Sequence, residues 1–288
     1  MKGKYAIIEE ASKLYPVVHL CKLLGVWRSA YYRYLVRKKL DPDGKVTGQI
    51  QSIYIQRERK YGYRRITAEL KRLYNVTVNH KKVQRLMREL GIRSVIRAKR
   101  PYFSAQQAMK TDGRIAPNLL NRDFTASRPN EKRVTDITQY HVGDRRIYLS
   151  ATKDLCGNDI IAYHISPRND NQLVLDTFNK AFEQHKDVTG LIIHSDQGFQ
   201  YTSHAYHDML PTVGAKISMS RRGNCLDNAA MESFFSHLKA EALYPYDIRS
   251  IEEAQQRIED FIEFYNEERI QLRLNKLTPL EYRSQLVA

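Results

Sequence analysis

Apolar positions recur at helical intervals through the first hundred residues, lose that rhythm over 101–127, and then alternate strand-like runs with helical stretches. In the opening segment Pro16 can start a helix on which Val17, Val18, Cys21 and Leu24 share a face before Gly25 ends it. A second helix from about Arg28 has Tyr31, Tyr32 and Leu35 as its apolar positions, so residues 1–40 are expected to form a helix-turn-helix. Over 45–100 a second all-helical unit is expected, with one stripe at Ile50, Ile53 and Tyr54 and another at Ile66, Leu70 and Leu73. Asn79 is an N-cap residue type, flanked by Val78 and Val83 as a hydrophobic staple. The helix it opens turns Val83, Leu86, Met87 and Leu90 to a core and stops at Gly91.

Residues 101–127 contain Pro101, Gly113 and Pro117 and read as a linker. Beyond it the pattern predicts strands at Arg133–Val142, Arg146–Ala151 and Asp159–Ile165. A helix then spans Asn171–His185, packed through Leu173, Leu175, Phe178 and Phe182. A strand at Gly190–His194, a helix at Ser203–Leu210, a strand at Ala215–Met219 and a long helix from Asp227 to Leu243 complete a mixed sheet flanked by helices over 128–244. A helical tail over 245–288 carries Ile258, Phe261, Ile262 and Tyr265 at helical spacing.

Charge sharpens this division. The net charge is +15, yet residues 1–110 hold 26 Lys and Arg against 7 Asp and Glu, so the rest of the chain is slightly acidic. Such asymmetry suits a nucleic-acid-binding region joined to something else. On the helix after Asn79 the polar face carries His80, Lys81, Lys82, Gln84, Arg85 and Arg88, followed by Arg93, Arg97, Lys99 and Arg100. That set can address phosphates and guanine edges in a major groove, and it also fits an ordinary solvated helix. Cys21, Cys156 and Cys225 form no CxxC pair, which fits a reduced cytosolic protein. No apolar run approaches the roughly 20 residues of a membrane span. No phosphate loop or dinucleotide fingerprint is present.

Three acids are the candidates for chemistry. Asp196 follows the apolar run Leu191-Ile192-Ile193, at the carboxyl end of a predicted strand where ligands of α/β sheets gather. Asp136 lies in Val134-Thr135-Asp136-Ile137-Thr138, and Glu232 on the long helix. Converging carboxylates attract hard divalent cations, Mg²⁺ or Mn²⁺. Asn228, Glu232 and Lys239 are four and seven residues apart and are expected on one helix face, where DNA could lie. Asp154 reads as a turn or surface residue ending the second strand, and Asp227 as the N-cap of the Glu232 helix. His194 either positions the site or satisfies a buried hydrogen bond. His204 and His207 lack the cysteines of a zinc site.

The block around Asp136, the block His194-Ser195-Asp196-Gln197-Gly198-Phe199-Gln200-Tyr201 and the block from Ser218 through Asn228 and Glu232 to Phe235 resemble the catalytic blocks of the OrfB-type transposases of bacterial insertion sequences. The segments Leu23–Tyr32, Phe264–Arg269 and Leu277–Tyr282 are similar to further motifs of that family, and 35 residues separate Asp196 from Glu232, its characteristic interval. The resemblance implies an α/β ribonuclease-H-like mixed-sheet core of the retroviral-integrase superfamily, preceded by all-α helix-turn-helix units and followed by a helical tail. It further implies Asp136, Asp196 and Glu232 as catalytic ligands of two divalent ions, and Lys239 as a contact to the element end. DNA is the implied partner, both as terminal inverted repeats and as target. A homo-multimer on DNA, an upstream-frame fusion partner that this chain is expected to lack, and a bacterial cytoplasmic, nucleoid-associated location complete the picture; no membrane is implied. A ribonuclease-H-like nuclease and a non-catalytic DNA-binding repressor are the alternative functions. The family often carries Trp where Arg133 stands and Ser where Trp27 stands; the former exchange is expected to loosen packing behind Asp136.

Overall fold

The computed structural model describes residues 2–40, 43–96, 113–183, 188–221 and 224–287. It divides into two compact units, Met1–Val95 and Ile96–Ala288.

The first unit is entirely helical among its described residues. Helices α1 (Lys2–Ala11), α2 (Val17–Leu23) and α3 (Arg28–Leu40) gather around Ile8, Leu20, Cys21, Val26 and Tyr31. The first of these is absent from the sequence expectation, because Ile8 is its one fully buried apolar residue and Ile7 beside it is 56% exposed. A stripe that narrow produces little periodic signal. Two apolar assignments are corrected here: Val18 and Tyr32 face solvent, while Leu20 and Tyr31 enter the core. Helices α4 (Gly44–Gln56), α5 (Tyr63–Tyr74) and α6 (His80–Glu89) follow. Ile50, Ile53, Ile66, Leu70 and Val83 are fully buried, as their spacing requires, whereas Leu73 is exposed. Asn79 caps α6 by accepting from the Lys81 backbone N–H at 2.8 Å, and Gly91, at φ +68°, supplies the left-handed turn beyond its end.

The second unit is built on a five-stranded sheet in the order β3-β2-β1-β4-β5. Its strands are β1 (Lys132–Val142), β2 (Arg145–Asp154), β3 (Ile160–Ser166), β4 (Ile192–Ser195) and β5 (Lys216–Met219). The pairs β1–β2 and β2–β3 are antiparallel; β1–β4 and β4–β5 are parallel. This is the mixed sheet of a ribonuclease-H-like core. Helix α7 (Asn171–Glu183) and helix α8 (His204–Thr212) cover one core cluster through Val174, Phe178, Tyr206 and Leu210 against Ile193 and Met219. Val174 takes the core place expected of Leu175 because 174, 178 and 182 are successive i, i+4 positions. The other cluster joins Val134, Leu149 and Ala151 to α9 (Ala229–Leu238) and α10 (Ile251–Glu267).

The long helix predicted from Asp227 to Leu243 is three segments. A 3₁₀ turn at Cys225–Asn228 leads into α9, and a π turn at Lys239–Leu243 ends it. The wider π turn buries Glu241, Ala242 and Leu243 together. Ile258, Phe261, Ile262 and Tyr265 of α10 are all buried in the same cluster as α9, so the tail shares the core of the sheet.

The two closing motifs serve the architecture. Tyr265 meets Phe234 edge-on, with ring centroids 5.0 Å apart. The Asn266 amide donates to Ile160 O and accepts from Ile160 N, occupying both backbone groups at the start of β3. Arg269 makes a two-point, buried ion pair with Glu241 at 2.8 and 3.1 Å. Thr278 and Glu281 then form a reciprocal capping box at the start of α11 (Pro279–Val287), with Pro279 in the first helical position.

Candidate catalytic site and nucleic-acid interface

The parallel register pairs Lys132 with Ile192, Arg133 with Ile193 and Val134 with His194. Continued by two residues, it sets Asp136 of β1 beside Asp196, which immediately follows β4. Equal offsets on neighbouring parallel strands also place the two side chains on one face of the sheet. Each carboxylate accepts one close backbone N–H: Asp136 from Ile137 at 2.8 Å and Asp196 from Gly198 at 2.9 Å.

Burial raises the Asp136 pKa, and the Asp196 charge raises it further; Glu232 adds a smaller repulsion, while Lys239 and the Ile137 N–H oppose the rise. Asp196 is also raised, by desolvation although the residue is exposed, against the Gly198 N–H. Glu232 is raised by desolvation. Asp136 and Asp196 therefore form an electrostatically frustrated pair, with Glu232 and Lys239 near enough to act on Asp136. Among the described residues no three acidic, His or Cys side chains close into a cage around one point. Glu232 is exposed on the first turn of α9, at the margin of the pair.

The backbone beneath the pair is tightly bound. Thr135 Oγ1 donates to Ala151 O at 3.1 Å and lies 3.3 Å from the buried Tyr201 hydroxyl. Asn228 donates its amide to Thr135 O at 3.2 Å and is 5% exposed. This corrects the expectation of a DNA-facing Asn228: it ties the start of α9 to the strand bearing Asp136. Asn228 and Lys239 flank α9 as its first and last caps; Lys239, like Glu232, acts on Asp136. His194 takes the hydrogen-bonding role. Its Nδ1 lies 2.8 Å from Ser218 Oγ, which accepts from Leu119 N and Leu120 N, and burial lowers its pKa.

Asp227 is not a helix cap. Its fully buried carboxylate accepts from Arg122 Nε, Arg221 Nε, Arg221 Nη2, the Arg221 backbone N–H and Asn118 Nδ2. The Arg221 side chain, then burial opposing it, and then Arg122 set its pKa, with a large net lowering. This cluster was missed in the sequence, although Arg221 and Asp227 both lie in the block that resembles the family; only folding brings Arg122 to them.

Asp154 is also corrected from surface to interior. It is fully buried at the end of β2, accepts from Asn130 N and Cys156 N at 2.8 Å, and faces Arg133 at 4.0 Å and Arg283 at 3.7 Å. Arg133 fills its fully buried position and donates to Asn130 Oδ1 at 2.7 Å, with burial lowering its pKa to about 10. Arg133, in the place where the family often carries Trp, thus joins an ionic network completed by Asp159 and Arg283. Trp27 is 83% exposed before α3.

On α6, His80, Lys81, Gln84 and Arg88 are exposed opposite Val83, Leu86 and Met87. His80 stacks on Tyr63 with centroids 6.0 Å apart. Lys82 and Arg85 are partly engaged within the unit: both pair with Asp43, at 2.7 and 2.6 Å, and Arg85 also pairs with Glu89. Arg97, Lys99 and Arg100 lie outside the described residues. No helix among the described residues is long and apolar enough to cross a membrane.

Comparison with known proteins matches residues 126–225 and 232–287 to integrase core domain models and residues 42–100 to an HTH-like domain. The chain is 41% identical over 280 residues to the InsK protein of insertion sequence element IS150 of Escherichia coli, covering 97% of each. It is 30% identical over 291 residues to transposase InsF for insertion sequence IS3A of the same organism, covering 99% of this chain and all of the other. The HTLV-2 integrase catalytic core domain in complex with magnesium aligns with 55% of this chain and 98% of its own, at 16% identity and a TM-score of 0.44.

Proposed function

Because the chain belongs to the insertion-sequence transposases that combine an HTH-like domain with an integrase core, we propose that it cleaves and joins DNA ends by metal-dependent phosphoryl transfer at Asp136, Asp196 and Glu232. The observation that carries this reading is the parallel β1–β4 register, which continued by two residues brings Asp136 beside Asp196, with the Asp196 charge acting on Asp136. Two adjacent carboxylates with raised pKa values are costly unless a cation offsets them. The donor set is all oxygen, which fits Mg²⁺ or Mn²⁺. Asp136 and Asp196 would hold such ions, with Glu232 entering from α9. Two bound divalent ions would supply activation of the attacking water or 3′-hydroxyl and stabilisation of the leaving oxygen.

The chain's own residues prepare the site in three ways. The Ile137 and Gly198 N–H groups fix one oxygen of each Asp, leaving the other for ligation. Asn228 anchors the first turn of α9, and with it Glu232, to β1. Lys239 acts on Asp136 and is suited to a DNA phosphate near the acids. In the first unit, α6 would enter the major groove of the terminal repeats, with Lys81, Gln84 and Arg88 the freest contacts and His80, Lys82 and Arg85 beside them. Arg97 and Arg100 would extend the phosphate contacts. Holding two element ends at once calls for a multimer on DNA, with an upstream-frame fusion partner adding pairing helices. Such a protein works at the bacterial nucleoid, in the cytoplasm.

The test compares Mg²⁺-dependent cleavage and strand joining of element-end DNA by wild type, Asp196→Asn and Glu232→Gln, with and without the upstream-frame product. Loss of both reactions in the variants is expected. Equal cleavage by all three proteins would remove the acids from the mechanism, and cleavage without joining would identify a nuclease.

A further inference from the structure

We propose that Asp227, Arg122 and Arg221 form a preorganised clamp for a DNA backbone phosphate beside the acidic pair; this rests on the transposase reading above. Asp227 is fully buried and receives five donors, yet the arginines that satisfy it are 43% and 58% exposed. Arg122 spends only Nε on the carboxylate, and Arg221 spends Nε and Nη2. Three terminal guanidinium nitrogens thus make no hydrogen bond among the described residues. Two guanidinium groups on one carboxylate leave a net positive charge held in a fixed fork. That matches a phosphodiester, whose oxygens accept paired N–H groups.

The location follows from short connections to the acids. Gln197, next to Asp196, donates to Ser220 O at 3.0 Å, and Ser220 N donates to Ser195 O at 2.8 Å, so Arg221 is tied to the loop that carries Asp196. On the other side, Asp227 precedes Asn228, which binds Thr135 O beside Asp136. The clamp and the acids are thus carried on directly connected segments, so a phosphate held by the arginines would sit beside the acidic pair.

The segment that delivers Arg122 is fixed by hydrogen bonds. Asn121 and Arg122 are consecutive non-glycine residues at φ 48° and 63°, an uncommon conformation shared with the pairs Glu58–Arg59 and Asn275–Lys276, and here held by side-chain contacts. Those contacts are Asn118 on Asp227, Asn121 N on Asn118 Oδ1, and Leu119 N and Leu120 N on Ser218 Oγ. A staple that served folding alone would not need two half-exposed arginines on one buried acid.

The experiment measures binding of the full chain to element-end DNA as a function of salt, together with KM and kcat for cleavage. Arg122→Gln and Arg221→Gln should each weaken binding several-fold and raise KM with kcat nearly unchanged. The double variant should reduce the slope of log affinity against log salt by about 0.9, the value for one phosphate. Asp227→Asn raises the net charge but frees the fork, so weaker binding is expected, whereas a purely electrostatic patch would bind more tightly. Where a neutral variant melts early, Arg122→Lys and Arg221→Lys decide: raised KM at unchanged Tm supports the fork, and unchanged KM overturns it. Folded glutamine variants with the wild-type salt slope and KM would overturn the clamp alone. A wild-type protein with no salt-dependent binding and no cleavage would overturn the transposase reading as well.

Discussion

Asp136 on β1 and Asp196 just beyond the parallel β4 lie beside each other, each with one oxygen taken by a backbone N–H, and the Asp196 charge makes Asp136 harder to ionise. Repulsion of this kind is a cost to the folded state that chemistry can exploit. The raised pKa of Asp136 means that the pair favours the fold below the ordinary carboxylate range and loses that advantage as pH rises through the shifted value.

Asp136→Asn should therefore raise the metal-free melting temperature at neutral pH. Solvent reaches the group, so the gain is set well below the full shift, on the order of 1 kcal/mol or roughly 2–4 °C. Millimolar Mg²⁺ should raise the Tm of wild type and leave Asp136→Asn and Asp196→Asn unmoved. A destabilised Asn variant, with a wild type indifferent to Mg²⁺, would contradict this account.

The Glu241–Arg269 pair is buried at both ends, at 2% and 3% exposure. Glu241→Gln removes the carboxylate charge from its buried two-point pair with Arg269 and should cost about 3–5 kcal/mol in urea unfolding. The double exchange Glu241→Leu with Arg269→Met removes both charges and should recover most of that loss. Equal losses in the single and double variants would show that packing, not charge, dominates there.

Burial raises the Asp159 pKa to about 6, the effect of Arg283 only partly offsetting it. Its folded value exceeds its unfolded one, so its contribution to stability is complete below about pH 4 and is lost as pH rises through 6. The stability of wild type relative to Asp159→Asn should decline between pH 4 and 6.5 in paired thermal melts. A constant difference across that range would mean that Arg283 compensates the charge fully.

On α6, Lys81→Ala and Arg88→Ala should each weaken DNA binding several-fold and reduce the salt slope by about 0.9. Arg85→Ala should do less, because Asp43 and Glu89 already answer its charge. Fluorescence anisotropy across a salt series gives the ranking; an Arg85 effect exceeding that of Lys81 would place the groove contact on the other edge of the helix.

Much of the architecture was legible along the chain because local rules govern it. The strands show as apolar runs, Asn79 caps a helix through its own side chain, and the α10 stripe from Ile258 to Tyr265 follows the helical period. Asp196 stands out as an acid directly after an apolar run, and the blocks around Asp136 and Glu232 are legible through their resemblance to the transposase family.

Tertiary structure alone decided which polar residues meet. Nothing local distinguishes Asp154, expected at the surface, from a buried partner of Arg133, because its neighbour in the sheet comes from another strand. Asp227 looks like a helix cap until Arg122, more than a hundred positions earlier, is brought onto it. Asn228 reads as a DNA contact until its amide is found on Thr135. Local preference sets each element, whereas the cost of burying an unpaired charge or amide is settled by whatever the fold delivers to it.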